Sequence, residues 1–114
     1  MKFPAFIGAG RGAETQRKAF RKHILSVLYN QMEIDPKRHC SAHQIAEFIN
    51  EIPLVERPYG SCDAYDVSAR IQLHVQKGLV REVRYGYEGH RTIYAANPDR
   101  KKDIEAIVGT EDPQ

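Results

Sequence analysis

The sequence predicts a single mainly α-helical domain with a β-hairpin: a three-helix core, two strands and a C-terminal helix. Three observations predict it. Residues 67–80 read as an amphipathic helix that stops at Gly78 and passes at once into Leu79-Val80, the start of a strand. Residues 81–95 form two alternating runs around a turn bounded by Gly86 and Gly89. Two earlier segments, 14–32 and 41–52, carry apolar residues at helical spacing.

Each element has its own local reason. Pro4, Gly8, Gly10 and Gly12 give residues 1–13 the composition of a mobile arm. From Glu14 to Met32, Phe20, Ile24, Val27 and Leu28 share one helical face, and Asp35-Pro36 closes that helix. The second helix opens at Ser41, where Ser41 and Gln44 have the spacing of a capping box, in which hydroxyl and amide satisfy each other's orphan N–H groups. Ile45, Phe48, Ile49 and Ile52 are its apolar stripe, and Pro53 ends it. A connector to Cys62 follows, containing Pro58, Gly60 and Ser61. Asp63 is the expected N-cap of the third helix, favourably placed at the positive end of its dipole. On that helix Val67, Ile71 and Val75 face inward with His74, while Tyr65, Ala69, Gln72 and Gln76 face outward with Leu73 at their edge. Gly78 supplies a left-handed C-cap. Val83, Tyr85, Ile93 and Tyr94 carry the strand alternation, and Asn97-Pro98 starts a last helix through Ile104, Ile107 and Val108 to Gly109. The expected organisation is therefore an arm over 1–13, a domain over 14–97, and a C-terminal helix and tail over 98–114.

At 114 residues, 41% hydrophobic and 28% charged, the composition suits one modest globular core. No apolar run reaches the roughly 20 residues that span a bilayer, and the apolar block near Met1 is too short for a secretory signal, so a cytoplasmic protein is expected. Cys40 and Cys62 would then remain thiols. The net charge of +2 is unevenly spread. Residues 11–38 hold seven Lys/Arg against three Asp/Glu, residues 39–65 one against four, and residues 66–91 five against three. Basic charge thus collects on the first helix and on the third helix with its hairpin, a distribution compatible with phosphate binding.

The block Val67-Ser68…Ile71…Lys77-Gly78-Leu79-Val80, preceded by the capped segment Ser41–Ile49 with its small Ala46, resembles the winged-helix family of bacterial and archaeal transcriptional regulators over residues 14–96. The resemblance implies a winged helix-turn-helix whose third helix is the recognition helix and whose hairpin is a two-stranded wing. It implies sequence-specific binding of double-stranded DNA by a small transcriptional regulator, as a homodimer, with neither catalysis nor a cofactor. A helix shows one polar face to base edges in the major groove. Here that face offers Tyr65, Ala69, Gln72 and Gln76, flanked by Ser68 and Arg70. Lys77 and Arg81 stand where helix meets strand and suit the backbone, and Arg84, His90 and Arg91 near the hairpin tip suit phosphates or a narrow minor groove. Another class of function also fits: a protein-docking module of a phage or mobile element without DNA binding. Asp63, Asp66, Leu73 and the acidic 39–65 segment favour it.

Other signals carry less. Gly8-Ala9-Gly10-Arg11-Gly12-Ala13 matches G-x-G-x-x-A, but Pro4 interrupts the preceding strand position and no parallel strand with a terminal acid follows. His39, Cys40 and His43, with Cys62 and His74, are zinc-type donors without the paired spacing of zinc modules, so a helix-cap cluster and two structural thiols is the simpler reading and no metal is expected. Neither cysteine has an orienting acid at a recognisable spacing for nucleophilic work. Arg17, Lys18, Arg21 and Lys22 form a basic run that reads first as a solvated helix face.

Overall fold

A computed structural model describes residues 11–87 and 91–109. Among these the chain runs α1 (Arg11–Ile34), β1 (Cys40–Ser41), α2 (Ala42–Asn50), a 3-10 turn (Leu54–Glu56), α3 (Ala64–Gln76), β2 (Val80–Tyr85), β3 (Arg91–Ala96), a second 3-10 turn (Pro98–Arg100) and α4 (Lys101–Val108). The molecule is mainly helical with a small antiparallel sheet. The first helix begins at Arg11, three residues ahead of the expected Glu14, and residues 1–10 of the expected arm lie outside the described residues.

The sheet has three strands in the order β1-β3-β2, one more than the expected two-stranded hairpin. The third is β1, in which Cys40 pairs with Tyr94 and Ser41 with Ile93. A two-residue strand has no alternation to read, so its pairing is set by the tertiary fold. Ser41 then serves twice, ending β1 and capping α2. Its hydroxyl accepts the Gln44 N–H at 3.1 Å while the Gln44 side chain accepts the Ser41 N–H at 2.9 Å.

Ile24, Leu25 and Leu28 of α1, Ile45 and Ile49 of α2, Val67 and Ile71 of α3, and Ile104 of α4 are fully buried around one centre. Each such side chain contributes about 1.5–3 kcal/mol over an exposed one. Leu79, Val80, Tyr94 and Ala96 close the core from the sheet. Phe48, expected in the buried stripe of α2, is instead 39% exposed. Buried Ile104 docks α4 against the core, and Lys101 Nζ lies 3.2 Å from Glu33 of α1. Tyr29 of α1 donates its one hydroxyl proton to Glu105 at 2.6 Å and lies 3.2 Å from Glu33, and hydrogen bonding to Glu105 pushes its phenol far above the usual range.

The connector between α2 and α3 is an ordered knot. The guanidinium of Arg57, only 8% exposed, donates to Ile52 O at 2.8 Å, Gly60 O at 3.0 Å and Asn50 Oδ1 at 3.2 Å. Asn50 in turn donates to Cys62 O at 2.8 Å and accepts the Cys62 N–H at 3.0 Å. Tyr59 stacks on Phe20 with centroids 4.7 Å apart and hydrogen-bonds His23, which pins the connector to α1. These bonds satisfy backbone groups that a ten-residue excursion would otherwise leave to solvent.

Candidate nucleic-acid interface

Both ends of α3 are fixed. At its start Asp63 and Asp66 form a reciprocal capping box, with the Asp66 N–H donated to Asp63 at 2.9 Å and the Asp63 N–H to Asp66 at 3.1 Å. The backbone hydrogen bond from Asp66 holds the Asp63 carboxyl below its usual range. At its end the Leu79 N–H reaches His74 O and the Gly78 N–H reaches Val75 O, both at 3.0 Å. This is a Schellman motif, and Gly78 takes the required positive φ of 77°. Asn97 donates its side-chain amide to Gly78 O and its backbone N–H to Leu79 O, each at 2.9 Å. Arg100 donates to Lys77 O at 3.0 Å while paired with Asp103 at 2.7 Å. The carbonyls at the C-terminal end of α3 are thus held from the segment that leads into α4.

Val67, Ile71 and His74 point into the core, and Tyr65, Ala69, Arg70, Gln76 and Lys77 are exposed, as their spacing implies. Leu73 lies among them at 36% exposure. Val75, expected inside, is half-buried. Gln72 departs from its expected outward position. It is half-buried against the hairpin and donates its amide to Glu82 Oε2 at 3.0 Å, leaving its amide oxygen as an acceptor. Ser68 also turns toward the sheet, where it faces the buried Tyr94 hydroxyl; burial and the Glu82 charge push that phenol up, and Ser68 opposes them. A polar seam of Ser68, Gln72, Glu82 and Tyr94 therefore joins helix to hairpin.

The register places Arg84 on one face of the hairpin and Arg81 and Arg91 on the other. Val80, Glu82 and Arg84 of β2 stand opposite Ala96, Tyr94 and Thr92 of β3 on the face that α3 meets. Arg81, Val83 and Tyr85 stand opposite Ala95, Ile93 and Arg91 on the reverse face. Arg84 is steered by Glu82 at 3.5 Å, and Arg81 by Asp99 at 3.3 Å. Arg70, Lys77 and Arg91 meet no carboxylate among the described residues. His90 lies outside the described residues. Beyond the base of the hairpin the strands leave the core, with Val83, Tyr85 and Tyr87 at 41%, 45% and 80% exposure.

The cysteines and histidines weighed for metal or nucleophilic chemistry are dispersed. Among the described residues no three His, Cys, Asp or Glu side chains are placed to hold a metal ion. Burial pushes both the Cys40 and Cys62 thiols up. Comparison with family models, curated proteins and solved structures found no match to this chain. No helix among the described residues is long and apolar enough to cross a membrane.

Sequence placed Tyr94 in the strand alternation and Asn97 at the start of the last helix but gave neither a part in joining α3 to the hairpin, and it did not single out Glu82, which accepts from Gln72 there. The sequence hid Glu82: the alternation of Val83 and Tyr85 puts them on the inward face of β2, whereas the structure leaves them exposed and turns Glu82 toward α3.

Proposed function

We propose that the chain is a winged helix that binds double-stranded DNA, with α3 in the major groove and the β2–β3 hairpin as its wing, and that it acts as a small transcriptional regulator. The observation that carries this reading is the pairing of an outward polar face on α3 with a hairpin whose outer part bears Arg84 on one face and Arg91 on the other. Tyr65, Ala69 and Gln76 meet base edges, while Arg70 and Lys77 meet phosphates. A groove is bordered by two phosphate strands, and Arg84 and Arg91 on opposite faces of one hairpin address one strand each. Glu82 and Gln72 orient Arg84 beside the helix. Asp63 and Asp66 each turn one carboxylate oxygen onto a backbone N–H of the cap, so they serve the start of α3 rather than the ligand. A two-fold dimer on a palindromic site would double this contact set.

Selection from a random-duplex library tests the reading. The expected result is an enriched motif with half-sites about one helical turn apart. Gln76→Ala shifts the base preference, whereas Arg91→Ala weakens every sequence alike and lowers the salt slope by about one unit. A library that emerges without enrichment contradicts it.

A second reading, a protein-docking module, draws on Leu54 and Val55 in the connector, which are 65% and 91% exposed. Adjacent bare aliphatic side chains are suited to a partner surface. The same selection separates the two, since a docking module enriches no duplex.

A further inference from the structure

The basic run at the start of α1 is not all solvated surface. Arg17 lines a cleft of about 360 Å³ together with Phe20, Tyr59, Tyr65, Asp66 and Arg70. Two guanidinium groups, one from α1 and one from α3, thus share a single concavity next to the outward face of α3. Neither has a carboxylate partner among the described residues, and both are exposed. The stacked rings of Phe20 and Tyr59 also sit in its lining. Asp66 also lines it, with one carboxylate oxygen held by the Asp63 N–H. Such a cleft suits a tetrahedral monoanion carried along by a larger ligand, since two arginines from separate elements can bracket its oxygens.

We infer that this cleft seats a backbone phosphate of the DNA strand that passes the N-terminal half of α3, so that Arg17 of α1 belongs to the same interface as Arg70. This rests on the DNA-binding reading, from which it follows that the duplex extends past Tyr65 and onto α1. The neighbouring exposed Lys18 extends the same basic track along α1.

The test is fluorescence-anisotropy titration of a labelled duplex at several salt concentrations with the full chain and with Arg17→Ala, Arg70→Ala and Arg17→Lys. Each alanine variant is expected to lower the salt slope by about one unit, equally on any duplex sequence. Arg17→Lys restores the slope, and all three variants unfold at the wild-type temperature because neither side chain has a hydrogen-bond or ion-pair partner among the described residues. Wild-type binding with an unaltered slope in Arg17→Ala overturns this inference and leaves the DNA reading standing. A wild-type chain that binds no duplex overturns both.

Discussion

His74 is the residue whose chemistry is least at ease with its place. Its side chain is 5% exposed, its Nε2 lies 2.8 Å from Arg21 O, and its Nδ1 has no partner among the described residues. A carbonyl accepts only a proton, so Nε2 carries the hydrogen and Nδ1 keeps a bare lone pair. Burial lowers the imidazole's proton affinity, and the nearby charges of Arg21 and Lys77 act in the same direction against the weaker pull of the Arg21 carbonyl. The sign follows from linkage: below the usual value of 6.5 the unfolded chain gains a proton that the folded chain refuses. Stability from this residue is complete above that value and is lost as pH falls from there toward the lowered folded value. Urea unfolding at pH 7.5 and pH 5.5 should show the loss in the wild type and a smaller loss in His74→Leu, which removes the orphan nitrogen while filling the site. Equal pH dependence in the two chains would show that another group is responsible. Sequence placed His74 among the inward residues of α3 through periodicity alone. It could not show the orphaned nitrogen, which depends on how α1 crosses α3.

At the level of elements, what was legible was what is local. The capping box of Ser41 with Gln44, the N-cap at Asp63 and the stop at Gly78 are set within a few residues, and all three form their hydrogen bonds. What escaped was non-local. Strand β1 exists because β3 has an edge to pair with, and Gln72 turns inward because Glu82 arrives from ten residues away. The faces of Arg84 and Arg91 depend on the pairing of Tyr85 with Arg91, which the sequence of the turn leaves open. The junction after α3 is the element on which the proposed interface depends most. Asn97 bonds Gly78 O and also caps the following turn through the Asp99 N–H at 3.0 Å. Asn97→Ala is expected to cost about 1–3 kcal/mol, because it leaves a part-buried carbonyl and a cap unsatisfied together. Hydrogen exchange should show the loss at the amide of Leu79 and in α4 before the rest of the core. Unchanged protection there would mean that Arg100 and the Asn97 backbone N–H hold the junction without the Asn97 side chain.

For the whole molecule, one core joins all four helices to the sheet and leaves the outward face of α3 and the outer described residues of the hairpin strands projecting from it. Arg17, Arg70, Lys77, Arg84 and Arg91 lie on or beside that projecting surface, while Asp63 and Asp66 are occupied with their own cap. We propose that this surface binds duplex DNA through phosphates. The most direct measurement is the affinity of the full chain for a mixed-sequence duplex as salt rises from 50 to 200 mM. Binding is expected to weaken linearly on logarithmic axes, with a slope of about −0.9 for each phosphate neutralised, so that several contacts give a loss of orders of magnitude across that range. Absence of binding at 50 mM, or binding indifferent to salt, would contradict it.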